Sequence, residues 1–243
     1  MDAFVVALLL STLPALGYVL GGLFAEIIDT SRRLVVISLH GAAGVVLSAV
    51  TVELLPEALQ SEPGWIILLF FILGGVFFFI MEWLISTMQK RLSGSDDMKR
   101  PWAIFFGVGI DLFNDGIMIG AGTTISLSLG LILAMAQVPA NIPEAFATIA
   151  VFRQKQFARW KRVPLSLAFS MPILLGTTLG YWVVKGQPEL VKHCILAFTA
   201  GVLMTLVEEE IVPEAHREQD VRLATLVFLL GFAIFTMISM YFD

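Results

Sequence analysis

The chain has 243 residues, of which 58% are hydrophobic and only 14% are charged, and this is far more apolar than an ordinary soluble domain. The net charge of −5 argues against a nucleic-acid partner. The single cysteine, Cys194, excludes an intrachain disulfide and a cysteine metal cluster. The composition therefore indicates a protein that lies in the lipid bilayer.

Eight apolar stretches follow one another along the chain. A run of about 18 or more apolar residues predicts a membrane-spanning helix. By residue number, the eight predicted spans are 3–25, 34–56, 64–88, 102–123, 126–152, 164–184, 189–212 and 221–241. The sequence therefore predicts an all-α, polytopic membrane fold in which residues 1–243 form a single transmembrane domain.

Lysine and arginine are distributed unevenly over the predicted loops. If the even-numbered spans run outward, thirteen of these residues face inward and only Lys185 and Lys192 face outward. Cytoplasmic loops carry the excess of Lys and Arg in membrane proteins. The pattern therefore predicts a multi-pass protein of the cell (inner) membrane with both termini outside.

One sequence pattern occurs twice. Residues 44–58 read GVVLSAVTVELLPEA, and 157 positions later residues 201–215 read GVLMTLVEEEIVPEA. The copies lie on spans two and seven, which cross the membrane in opposite directions because their numbers differ by five. We therefore expect an inverted repeat of the kind that transporters use. Its parts are 3–88 as first repeat, 102–152 as central helix pair and 164–241 as second repeat.

Acidic and amide side chains lie near the middle of the two central spans. Asp111 and Asp115 in span four are four residues apart and share a helix face, with Asn114 beside them. Asn141 and Glu144 in span five are three residues apart and also share a face. Because these spans contain no Lys or Arg, the carboxylates need protons or a bound cation to compensate their charge. Such a set of oxygen ligands suits a hard or borderline divalent cation.

Further acids mark the ends of the repeated spans. Glu53 lies near the end of span two, and Glu210 lies near the end of span seven with Glu208 and Glu209 beside it. A carboxylate in a long apolar run is costly and is a functional candidate by default. Glu53, Glu209 and Glu210 are therefore candidates for the two ends of a pathway, although for Glu53 a structural role is equally compatible.

The remaining polar residues near the span ends fit ordinary interfacial positions. For His40, His193 and His216, which lie at span edges, interfacial placement is favoured over metal ligation. Glu57 and Glu214 follow the two repeated prolines, where a carboxylate is solvated or caps a helix end. These positions are therefore not counted among the expected metal ligands.

The order and spacing of these motifs resemble the ZIP (Zrt/Irt-like protein) family of divalent metal transporters, especially its bacterial GufA-like branch. The resemblance rests on ELLPEA and EIVPEA at the ends of spans two and seven, on NDG in span four, on NIPEA in span five and on the eight-span layout. It covers nearly the whole chain.

In that family, span four carries an H-N-x-P-E-G motif that contributes to a two-metal site. By position, Asp111 takes the place of the histidine, Leu112 that of the asparagine and Asp115 that of the glutamate. Asn114 stands where the family has proline. The resemblance thus implies two aspartate ligands from this span and no histidine.

Span five of the family carries an H-E-x-P-E-G-like motif. Ala140 takes the place of its histidine, Asn141 that of the first acid and Glu144 that of the glutamate. The acidic ligand of the family's seventh span falls on Glu210. Both core histidines are therefore replaced, which favours a harder site than the zinc-type pair.

Together these observations predict a membrane transporter that moves a divalent metal cation by alternating access; the resemblance implies the zinc, iron or manganese class and movement toward the cytoplasm. The ion is a substrate and not a fixed cofactor, no enzyme activity is expected, and the lipid bilayer and a possible homodimer are the other partners. The predicted metal ligands are Asp111, Asp115, Asn141, Glu144 and Glu210, and the predicted pathway residues are Asn114, Glu53 and Glu209.

Two other function classes remain open. An intramembrane hydrolase could use Asp111 and Asp115 as an aspartate pair, or could use a metal-bound water, although both aspartates lie on one helix. A ZIP-like protein that has become a metal sensor or a non-metal carrier would fit the loss of the core histidines. Metal flux separates transport from both alternatives.

Overall fold

The structure is a computed structural model that describes residues 2–27, 32–92, 99–154, 156–208 and 221–242, and every element in these ranges is helical. A π-helical turn, Ala49–Leu54, joins the second and third helices. The helices are α1 Ala3–Ile27, α2 Arg32–Ser48, α3 Leu55–Ala58, α4 Gly64–Leu92, α5 Lys99–Ile125, α6 Leu127–Gln154, α7 Arg159–Ala168, α8 Ser170–Val184, α9 Glu189–Leu206 and α10 Val221–Phe242.

Seven helical stretches of the described chain are long and apolar enough to cross a membrane. They coincide with all the predicted spans except the fourth, which lies within α5. At 1.5 Å per residue, the 27 residues of α5 extend over about 40 Å, more than the thickness of a hydrocarbon core. The predicted all-α, polytopic fold is therefore confirmed.

Three predicted spans, the second, the sixth and the seventh, are not single regular α-helices, and in each a proline follows the irregular residues in the sequence. Span six consists of α7 and α8, which meet at Phe169. Pro172 has no N–H to donate to the carbonyl of Ala168, so the helix ladder is interrupted there. In span two, Pro56 follows the π-helical turn, and residues 207 and 208 at the equivalent place in the second copy are also π-helical.

The helices differ in how much of their surface lies inside the protein. The apolar window of α6 is 61% buried, whereas those of α4 and α10 are only 11% and 17% buried. The largest apolar cluster contains Leu54, Met118, Leu133 and Leu203, which come from the π-helical turn, α5, α6 and α9. The central pair α5 and α6 is thus packed by neighbours, while α4 and α10 present apolar side chains outward.

Close helix crossings occur at glycines, because a helix without a Cβ lets another backbone approach. At the crossing of α2 and α10, a Cβ on Gly44 would collide with the carbonyl of Phe228. At the crossing of α4 and α9, a Cβ on Gly201 would collide with the carbonyl of Phe71. Positions 44 and 201 are 157 apart, and so are positions 71 and 228.

A second set of contacts has the same spacing. A Cβ on Gly231 would collide with the carbonyl of Gly41, and a Cβ on Gly74 would collide with that of Phe198. Again, 74 and 231 are 157 apart, as are 41 and 198. The two glycine contacts at one crossing therefore each have a counterpart at the other, at the offset found in the repeated sequence.

Candidate functional site

The predicted site residues Asp115 and Asn141 lie opposite each other on the two central helices. Asp115 lies on α5 and Asn141 on α6, and each residue is only 1% exposed to solvent. The amide group of Asn141 lies close enough to the carboxyl group of Asp115 to interact with it. The packing of α5 against α6 thus brings together two residues that are 26 positions apart in the sequence.

Four buried polar atoms of the described residues make no hydrogen bond within the protein. They are Asp115 Oδ2, Asn141 Nδ2, Asn114 Nδ2 and the Tyr18 hydroxyl. Buried polar groups are almost always paired, and one without a partner costs about 1–3 kcal/mol. Three of the four belong to predicted site residues. Such a concentration of unmet hydrogen-bonding capacity is suited to a polar or charged guest.

Tyr18 is a member of this site that the sequence did not reveal. Its side chain, on α1, is fully buried, and its ring packs on Phe169 with a centroid separation of 4.8 Å. Its hydroxyl lies beside Thr148 and within electrostatic range of Asp111 and Glu144. One sequence feature could have identified Tyr18: it lies away from both ends of span one, whereas tyrosines in membrane proteins usually lie at the interfaces.

Asp111 and Glu144 complete the group of central acids. Both are half-buried, and Asp111 lies near enough to Asp115 for their charges to interact. Glu144 has interaction partners within the protein. Within the described part of the chain, no three His, Cys, Asp or Glu side chains come close enough together to hold a metal ion. The potential ligands at this site are therefore carboxylates with amide and phenol groups beside them, and the carboxylates do not surround a single point.

The predicted pathway residues have different positions. Glu53 lies buried on the π-helical turn and accepts a hydrogen bond from Ser239 of α10. π-Helical turns are frequent at functional sites, but this contact also gives Glu53 a structural partner. Glu209 and Glu210 lie outside the described residues.

An ion-pair cluster joins α1 to α7. The guanidinium of Arg162 contacts both carboxylate oxygens of Glu26, with Nη2 2.7 Å from Oε2, and also donates to the carbonyl of Phe157. Arg153 donates to the carbonyl of Ala25 at 3.0 Å. The side chains of Glu26 and Arg162 are only 4% and 10% exposed. Cations that the sequence suggested only as topology signals therefore also fasten two helices together.

Comparison with known proteins points to one family. A family model described as ZIP zinc transporter matches residues 87–239. Zinc transporter ZupT of Salmonella heidelberg (strain SL476) is 28% identical over 197 residues, which cover 76% of this chain and 76% of ZupT. Zinc transporter ZIP13 of Pongo abelii is 26% identical over 140 residues, covering 55% of this chain and 42% of ZIP13.

Zinc transporter ZIP6 of Homo sapiens is 29% identical over 150 residues, covering 58% of this chain and 20% of ZIP6. The chain therefore spans less than half the length of the ZIP13 and ZIP6 relatives that it matches. Its match to ZupT, in contrast, covers about three quarters of both proteins.

Proposed function

Since the chain belongs to the ZIP zinc transporter family, we propose that it carries a divalent metal cation across a membrane. The observation that carries the proposal is the buried pair Asp115 and Asn141, each with a polar atom that has no hydrogen-bond partner among the described residues. A divalent cation would compensate the buried Asp115 carboxylate and take the side-chain oxygen of Asn141 as a second ligand. The unpaired Nδ2 of Asn141 is a donor, and a water held by the ion would supply its acceptor. Zinc, iron and manganese are the candidates, and the ion is a substrate, not a fixed cofactor.

The proposed ligands come from both central helices. Asp115 and Asn141 provide the inner pair, and Glu144 and Asp111 extend it toward half-buried positions. Glu210 remains the proposed seventh-span ligand. Carboxylate and amide oxygens without imidazole favour a harder ion than a histidine-rich site would, so manganese or iron could compete with zinc here.

The packing of the helices supports alternating access through an inverted repeat. The glycine contacts of the α2–α10 and α4–α9 crossings correspond at an offset of 157 residues. The most extensive helix contacts in the described chain join α1 with α6 and α5 with α8, and separately α2 with α10 and α4 with α9. The first set of helices, α1, α5, α6 and α8, carries Asp115 and Asn141, and the second set consists of α2, α4, α9 and α10. Movement of one set against the other would expose the site to each side of the membrane in turn.

We infer the orientation of the protein from the distribution of cations, and the inward direction of transport from its membership of the family. Thirteen Lys and Arg residues on one side against two on the other favour both termini outside. We place the protein in the cell (inner) membrane, with uptake toward the cytoplasm through one transmembrane domain. The outward apolar faces of α4 and α10 suit lipid and would also permit a homodimer.

The test is uptake of radioactive zinc, iron and manganese into proteoliposomes. The double substitution Asp115→Asn and Glu144→Gln removes two charges at nearly constant volume and should abolish uptake. Asp2→Asn, at an exposed position, is the matched control and should leave uptake unchanged. Full activity of the double variant would refute the site, and tight binding of metal by the wild type without any flux would favour a sensor.

A further inference from the structure

A second group of potential metal ligands lies where the helix after the π-helical turn meets the beginning of α9. This His193 cluster consists of His193 on α9, Glu57 on α3, and Gln60 and Ser61 in the following turn. The Ser61 hydroxyl lies 2.5 Å from His193 Nδ1, and Gln60 Nε2 donates to Glu57 Oε2 at 2.6 Å. His193 is only 6% exposed, whereas the Glu57 side chain is 29% exposed.

The two nitrogens of His193 have different surroundings. Nδ1 is engaged by Ser61, while Nε2 faces Glu57 Oε1 at 3.7 Å. If Nδ1–H donates to the Ser61 hydroxyl, Nε2 directs a lone pair toward a carboxylate oxygen. In that tautomer two acceptors face each other, and the arrangement becomes favourable when a cation lies between them, either a proton on Nε2 or a metal ion; the distance between the two atoms distinguishes these cases.

The spacing fits a metal ion better than a hydrogen bond. An N–H···O bond spans about 2.7–3.2 Å, so 3.7 Å is too long. Two ligands of a tetrahedral zinc-type ion, each about 2.0–2.2 Å from the metal, are about 3.4 Å apart. His193 Nε2 and Glu57 Oε1 would reach that separation if the Glu57 side chain, which is 29% exposed, moved by a few tenths of an ångström.

The partners of these two side chains are those that accompany metal ligands. A histidine ligand usually donates its other ring N–H to a nearby acceptor, which fixes the tautomer, and carboxylate ligands are hydrogen-bonded in turn. Ser61 serves the first purpose and Gln60 the second. The one neighbouring cation in the sequence, Lys192, is paired with Glu189 at 2.8 Å, so it does not oppose a metal ion with an uncompensated charge.

We propose that His193 Nε2 and Glu57 Oε1 bind a divalent transition metal of the zinc class, with water in the remaining positions, and deliver it to the transport pathway. This inference rests on the proposed function. Glu57 lies one helical turn after Glu53, about 6 Å along the axis, so a bound ion would be next to a predicted pathway residue. Two protein ligands give weaker binding than four, which suits a site that must release its ion.

The repeat does not duplicate His193. The position 157 residues before it holds Val36, which cannot ligate. His193 itself lies at the end of the repeated spans that the distribution of cations predicts to be outside, consistent with loading before inward transport.

A hydrolytic triad does not fit the same geometry. In a Ser-His-acid triad the acid is hydrogen-bonded to the histidine and orients it. Here the acid lies 3.7 Å from Nε2, which is too long for that bond. The Glu57 carboxylate is instead held by Gln60. A serine nucleophile is therefore not supported, and metal binding is the favoured chemistry.

The experiment separates this site from the central one. Co²⁺ binding to the purified full chain is measured by visible absorption and equilibrium dialysis in the Asp115→Asn, Glu144→Gln background. His193→Gln and Glu57→Gln should each remove one bound equivalent, whereas His40→Gln, another buried histidine substitution, should not. His193→Cys should retain binding and add a thiolate charge-transfer band, and Ser61→Ala should weaken binding about tenfold or more.

Zinc uptake by proteoliposomes provides the second measurement. In the otherwise wild-type chain, His193→Gln should raise KM about tenfold and leave the maximal rate unchanged. Equal Co²⁺ binding by His193→Gln and His40→Gln, or an unchanged KM, would overturn the site while leaving the central transport site intact. If the wild-type chain shows no uptake but His193→Gln still removes one Co²⁺ equivalent, the site would be supported and transport would be refuted.

Discussion

Asp115 and Asn141 face each other across the contact of α5 and α6, both almost completely excluded from solvent. A carboxylate and an amide at such a position can each contribute an oxygen to a cation. The pair therefore sets the chemistry of the proposed transport site. A substitution at either residue should strengthen metal binding if it adds negative charge and weaken it if it removes negative charge.

Asn141→Asp adds a negative charge opposite Asp115 without changing the size of the side chain. We expect the KM for zinc to fall about tenfold, which corresponds to about 1.4 kcal/mol of tighter binding, and the maximal rate to fall because release slows. Uptake kinetics in proteoliposomes measure both quantities. Gln187→Glu, an equivalent change at an exposed turn, should alter neither, and an unchanged KM in Asn141→Asp would place Asn141 outside the coordination shell.

Tyr18→Phe removes a buried hydroxyl that makes no hydrogen bond to any residue the structure describes. We expect the free energy of unfolding to rise by about 1 kcal/mol while zinc uptake falls. Thermal unfolding in detergent and uptake assays give the two results. Tyr241, which is 89% exposed, provides the control: Tyr241→Phe should change neither. A destabilised Tyr18→Phe protein would show that the hydroxyl serves folding.

Gly44→Ala and Gly201→Ala place a methyl group against a backbone carbonyl at corresponding crossings. Each should lower the free energy of unfolding by about 1–3 kcal/mol, as overpacked cores do. Because the contacts correspond, the two losses should be similar in size. Gly64→Ala meets no atom within 4 Å and should be tolerated. A large difference between the two variants, seen in detergent unfolding, would argue against the inverted repeat.

Arg162→Gln removes the hydrogen-bonded guanidinium from the buried carboxylate of Glu26 and leaves it only the longer ion pair with Arg159, whose Nε lies 3.7 Å from Glu26 Oε2. Breaking a buried ion pair from one side costs about 3–5 kcal/mol, and because Arg159 remains we expect a smaller loss of about 2 kcal/mol in the free energy of unfolding. Adding Glu26→Gln should restore part of that loss because the poorly compensated charge is gone. Lys161→Gln, at the exposed neighbouring position, should have little effect. If the double variant were no more stable than Arg162→Gln, charge burial would not be the cause.

The number and order of the spans could be predicted because a bilayer demands long apolar helices, and composition alone reports these. Breaks within the spans were harder to predict. Pro56 and Pro172 were visible in the sequence, but a missing N–H can be accommodated by a kink, a π-helical turn or a new helix start. The choice between these depends on neighbouring helices, which the sequence of one span does not specify.

The site residues also differ in whether the sequence of a single span could predict them. Asp111 and Asp115 were predictable as a pair because helical spacing brings them to one face. Tyr18 and the His193 cluster were not, since their partners come from other helices; the contact of Ser61 with His193 spans 132 residues. A histidine at a span edge has no distinguishing mark until packing brings a carboxylate and a hydroxyl to its two nitrogens.

α6 has a special place in this bundle, because it packs against α1 in one set of helices and against α2 in the other. It contains Pro139 and Pro143, so two backbone hydrogen bonds are missing in its middle. Bending is therefore cheapest in the segment that carries Asn141 and Glu144. A cation held there would bind to the part of α6 with the fewest backbone hydrogen bonds, so that its binding should stiffen this segment and its release should loosen it.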